Sequence, residues 1–134
     1  MTAQTDLVVN AFIDLRSPYS YLVLQPARSL AERSGITFEW WPYITDFTRL
    51  TGETSSSALK YSYMDCRRLA RRQGLTIRAT TKLWDVELAS RVLLFAKARN
   101  RLWKFCDPLL AAFWRRDFVS SRHRSSRRQL LALD

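Results

Sequence analysis

Histidine, cysteine and glycine are scarce here. The 134 residues hold one histidine, two cysteines, three glycines and four prolines. Cys66 and Cys106 lie in separate helical patterns with no C-x-x-C pair. With that spacing a disulfide framework or zinc site is not expected, and buried, reduced thiols are the expected state. His123 stands alone in an arginine-rich stretch, so no Ser-His or Cys-His pair presents itself and hydrolase chemistry has no carrier. No window approaches the roughly 18 to 20 apolar residues of a membrane-spanning helix. Residues 1–6 lack a basic segment leading into an apolar run, so a signal peptide is not expected and a cytoplasmic location is.

Apolar residues are plentiful, at 47%, enough for one domain of this length to bury a core. The net charge of +10 is uneven: residues 1–96 carry +3 and residues 97–134 carry +7. A basic last third can meet a polyanion, but solvated arginines are the commoner explanation. No nucleic-acid module is recognisable, so nucleic acid is not an expected partner.

An apolar, strand-like run over 7–13 leads into Ser17-Pro18, a pairing that suits an N-cap and the first helical position. Helical spacing of Tyr21, Leu22, Leu24, Ala27, Leu30 and Ala31 predicts a helix over 18–34, stopped at Ser34-Gly35. Residues 36–43 alternate at Ile36, Phe38 and Trp40 and close at Pro42, which predicts a second strand. A β-α-β opening with short turns favours a parallel crossover.

Residues 44–57, with their serine run, read as a connection containing at most a short helical turn. A helix is expected over 58–73, burying Leu59, Tyr63, Cys66, Leu69 and Ala70, exposing Arg67, Arg68, Arg71 and Arg72, and ending at Gly74. After an extended link at 75–78, a helix over 84–99 is expected to turn Leu88, Val92 and Phe95 inward with Ala89 and Ala96. A last helical region over 102–117 is expected to reset at Asp107-Pro108, with Asp107 as a cap. Residues 120–128 have a disordered composition, and no internal repeat is present.

Ser17 thus sits where unpaired amides and the positive end of a helix favour an anionic atom. The stretch Ile13-Asp14-Leu15-Arg16-Ser17-Pro18-Tyr19-Ser20-Tyr21-Leu22 resembles the opening motif of 2-hydroxychromene-2-carboxylate isomerases and kappa-class glutathione transferases. Both belong to the DsbA-like branch of the thioredoxin superfamily. Leu59-Lys60-Tyr61-Ser62-Tyr63-Met64-Asp65-Cys66-Arg67-Arg68, running on to Gly74-Leu75, is similar to the same family's inserted-helix motif. The likeness covers residues 7–117.

The resemblance implies an α/β, thioredoxin-like fold with a β-α-β start and a helical insert at about 58–117. Residues 1–117 would form an incomplete DsbA-like domain, and 118–134 a basic tail. Ser17 occupies the position of the attacking cysteine of a redox C-x-x-C, and neither it nor Ser20 can form a disulfide. By analogy, Ser17 donates a hydrogen bond to the thiolate of the cofactor glutathione, and Lys60 also binds that cofactor. The implied reaction adds the thiolate to a conjugated aryl enone, permits rotation and expels the thiolate, isomerising 2-hydroxychromene-2-carboxylate to its benzylidenepyruvate. Arg16 and Tyr61 are the candidate contacts for this small aromatic carboxylate, and no metal is implied. Trp40, Trp41 and Trp84 are candidate walls, with strand or helix packing as the simpler account of each. Arg68 is expected to pair with Asp65.

The family's C-terminal strand-strand-helix half, with its cis-proline loop, is missing from the pattern: the prolines are Pro18, Pro26, Pro42 and Pro108. The tail composition fits truncation or a frame shift, and Gly52-Glu53 stands where relatives often carry an asparagine. Two other readings stay open: a kappa-type glutathione transferase, and a non-enzymatic remnant binding a partner or polyanion through its basic last third. The resemblance also leaves a homodimer open.

Overall fold

A computed structural model describes residues 7–46, 53–80 and 82–117, with the side chains of 53–55 left out. Strand β1 (Val8–Ile13) leads through helix α1 (Pro18–Ser34) to strand β2 (Thr37–Pro42), which pairs with β1 in parallel. The helices α2 (Glu53–Arg72), α3 (Glu87–Ala98) and α4 (Leu102–Arg115) follow. The expected β-α-β opening is present. Among the described residues the sheet has these two strands, with Ala11 opposite Trp40 and Ile13 opposite Pro42.

The period of two in each strand sorts the sheet into faces. Ile13 and Trp40 are buried on one, whereas Phe12 and Trp41 stand exposed on the other. Trp41 donates from Nε1 to Asn10 Oδ1 at 3.0 Å, and Lys97 on α3 lies 3.5 Å over its ring. Trp40 instead meets Trp103 of α4 edge-on at 5.2 Å. Strand packing therefore accounts for Trp40, and a surface contact for Trp41.

Gly35 ends α1 with φ of 70° and donates to the Ala31 carbonyl, a left-handed turn that a side chain would strain. Gly74, at φ 69°, does the same after α2, where Leu75 N–H reaches back to the Ala70 carbonyl at 2.8 Å. On α4, Trp114 is fully buried, its ring centroid 6.4 Å from that of Tyr21 on α1 and from that of Tyr63 on α2.

Four local expectations need correction. Helix α2 starts at Glu53, so part of the stretch read as a connection with at most a short helical turn belongs to a long helix; serine is only a mild helix disfavourer. Leu59 is exposed, although Cys66 and Ala70 are buried as expected. In α3 the inward face is Ser90, Leu93 and Ala96, while Leu88 and Phe95 face outward. Helix α4 passes through Pro108 without a reset, and Asp107 binds Arg28 on α1 instead of capping. The basic tail, His123 and Gly52 lie outside the described residues.

Candidate functional site at the start of α1

Ser17 is the N-cap of α1, with extended backbone (φ −85°, ψ 120°) and Pro18 in the first turn. Its Oγ accepts a long hydrogen bond of 3.4 Å from Ser20 N–H. That bond uses the oxygen as an acceptor and leaves the hydroxyl proton available for donation. Ser17 is half-buried.

The turn before the cap is held by Asp14, which is 4% exposed and uses every polar group it has. Its carbonyl accepts from Ser17 N–H at 2.9 Å, and its own N–H donates to Ser20 Oγ at 3.2 Å. Carboxylate Oδ1 accepts from Arg16 N–H at 2.8 Å and Arg16 Nε at 3.1 Å. Oδ2 accepts from Arg16 Nη2 at 3.0 Å and from Thr45 N–H at 2.8 Å. Burial alone would raise this carboxyl's pKa. The hydrogen bonds from Arg16 and Thr45 outweigh that and hold it below its ordinary 3.8.

Arg16 also donates from Nη2 to the Thr45 carbonyl at 2.8 Å, and its side chain is 9% exposed. The guanidinium expected to meet a substrate carboxylate is thus committed to the loop after β2.

The second motif approaches α1 through Tyr19, whose hydroxyl donates to Asp65 Oδ2 at 3.1 Å. Asp65 pairs with Arg68 at 2.9 Å, as expected from their spacing. Burial of the Tyr19 hydroxyl first, then Cys66 and Asp65, push its pKa up and keep it a donor. Cys66 is buried beside it, and burial raises its thiol, opposed by the nearby Tyr19 hydroxyl.

Tyr61 and Lys60 are exposed on α2 and make no hydrogen bond or ion pair among the described residues. Tyr61 stands one turn before Asp65 on the same helix face, and Lys60 one step further round. Trp84 is not a wall here: it packs edge-on against Phe113 at 6.4 Å and donates to Thr80 Oγ1. Sequence reasoning did not single out Asp14, Thr45 or Tyr19. The signal available was a carboxylate at the end of an apolar strand, two residues before an arginine.

Among the described residues there is no disulfide-forming pair at the helix start, no cluster of three or more metal-binding side chains and no cis peptide bond. No described helix is long and apolar enough to cross a membrane. No curated protein and no solved structure matches the chain. The family described as the DSBA-like thioredoxin domain matches residues 8–132, running from β1 past α4 into the basic segment. With a strand delivering Ser17 to a helix start, a parallel return strand and a helical region beyond it, the chain belongs to the DsbA-like thioredoxin domain family.

Proposed function

We propose that the chain serves a glutathione-dependent isomerase reaction of the 2-hydroxychromene-2-carboxylate type, with Ser17 as the hydrogen-bond donor to a thiolate. The observation carrying this reading is the Ser17 hydroxyl: its oxygen takes a bond from Ser20 N–H at the helix start, and that acceptor role leaves its proton available to a ligand. A serine in place of the attacking cysteine removes dithiol exchange and keeps the anion-favouring helix end. When bound, glutathione would supply a thiol, whose pKa starts near about 8.5 for a cysteine side chain.

Ser17 O–H and the positive end of α1 stabilise the deprotonated sulfur and so lower that value. The Lys60 ammonium, without a partner among the described residues, suits a glutathione carboxylate. Tyr61 offers an exposed ring for an aromatic carboxylate. Arg16 acts one layer behind these groups, because its fork is occupied by Asp14 and Thr45. The groups present fit the thiolate end of glutathione. Among the described residues no further strand stands beside β1 to pair with its peptide body.

Turnover of 2-hydroxychromene-2-carboxylate with and without glutathione tests the reading. The expected result is isomerisation that requires glutathione and falls about 10²-fold in Ser17→Ala, the scale of losing one oriented donor. Conjugation of glutathione to chloro-dinitrobenzene without isomerisation would instead support a kappa-type transferase.

A further inference from the structure

Asp14 and Arg16 together do something that neither the cap nor the helix end requires. Asp14 Oδ2 accepts the Thr45 N–H at 2.8 Å and Arg16 Nη2 donates to the Thr45 carbonyl at 2.8 Å. Two side chains of the β1–α1 turn thereby pair with both backbone groups of one residue in the loop after β2, as an adjacent strand would. Thr45 is two residues beyond Tyr43, whose N–H makes the last bond to β1, at the Ile13 carbonyl. The clamp therefore extends the pairing of the two segments past the end of the sheet, into the turn that precedes Ser17.

We infer that Asp14 is a positioning residue for Ser17: through Arg16 and Thr45 it locks the serine turn to the loop after β2 and aims the Ser17 hydroxyl. The inference rests on the reading of Ser17 as a thiolate donor, and it adds which residues set that donor's direction. All the required links are direct. Asp14 carbonyl holds Ser17 N–H, Asp14 N–H holds Ser20 Oγ, and Ser20 N–H holds Ser17 Oγ. The carboxylate then ties this closed circuit to a residue 31 positions away. A loop free to shift by about 1 Å would misplace the hydroxyl, and misplacement on that scale is costly in an oriented site.

The substitution Asp14→Asn separates positioning from bulk packing. The four donors around the carboxylate need two oxygens, and an amide offers one oxygen and one NH₂ group, which must face donors. Arg16→Lys keeps the charge and loses the fork that reaches both Asp14 and Thr45.

Two readouts are needed on the full chain: amide hydrogen exchange at Ser17 and Thr45, and the thiol pKa of bound glutathione read from thiolate absorbance. Both variants are expected to stay folded and to lose about tenfold protection at the two amides, the scale of one charge-assisted hydrogen bond. In both, the thiol pKa should rise toward its free value, and adding Ser17→Ala to Asp14→Asn should raise it no further. Unchanged protection at Ser17 in both variants would overturn the inference. So would lost protection with an unchanged thiol pKa, which would make the clamp scaffold alone. If wild type binds no glutathione, or if wild type and Ser17→Ala share one thiol pKa, the donor reading of Ser17 fails. The exchange data then decide the positioning by themselves. Should Asp14→Asn fail to fold, Arg16→Lys carries the same comparison.

Discussion

Arg28 on α1 grips Asp107 on α4 with both terminal nitrogens, Nη1 to Oδ2 at 2.9 Å and Nη2 to Oδ1 at 3.1 Å. The guanidinium also lies 4.3 Å over the Trp103 ring, so one side chain joins α1 to two residues about one turn apart near the start of α4. Both partners are partly exposed, which discounts the pair for solvent screening. Asp107→Ala is expected to cost about 1 kcal/mol, read as a lower midpoint in urea unfolding. A gain in stability, as from freeing a helix interior, would contradict this contact.

Leu93 and Leu88 lie on opposite sides of α3, at 0% and 66% exposure. Leu93→Ala should cost roughly 2–5 kcal/mol and Leu88→Ala within about 0.5 kcal/mol. Equal losses in thermal or denaturant unfolding would restore the face expected from sequence.

Acid should reveal the Asp14 clamp. A carboxyl whose pKa is lowered on folding stabilises the native state above its unfolded pKa, and that contribution is lost as pH falls through the folded value, below 3.8. Wild type should therefore lose stability steeply with acid in that range, and Asp14→Asn should show a shallower slope there. Parallel slopes in acid titrations followed by circular dichroism would count against the clamp.

Both thiols should be silent until the chain unfolds. Cys106 is fully buried, and burial first, aided by Asp107 and opposed by Arg28, pushes its pKa up to about 12. Cys66 is shifted the same way, mainly by burial. A colorimetric thiol reagent at neutral pH is expected to titrate neither in native protein and both in denaturant, because the thiolate is the reactive form. Since these pKa values are raised on folding, stability should also fall as pH rises above the unfolded thiol value of 9.0.

The elements read most clearly were those written in adjacent residues. Ser17-Pro18 specified a helix start, Gly35 and Gly74 specified two helix ends, and alternation at Phe38 and Trp40 specified the inward face of the second strand. Asp107-Pro108 carried an equally clear local signal that the fold does not use, because Arg28, far away in sequence, holds the carboxylate. In α3, leucines and alanines are dense enough to offer two apolar faces, and only tertiary packing into the core selects the one centred on Leu93. The Asp14–Thr45 contact spans 31 residues and uses a backbone group, which leaves no trace in residue type at position 45. Ser17 was legible as a cap; the circuit that orients it was not.

The most direct measurement of the central claim is the thiol pKa of glutathione bound to wild type and to Ser17→Ala. Titration of thiolate absorbance should give a value clearly below that of free glutathione in wild type, returning toward it in Ser17→Ala. The same pKa in both proteins would contradict the role assigned to Ser17.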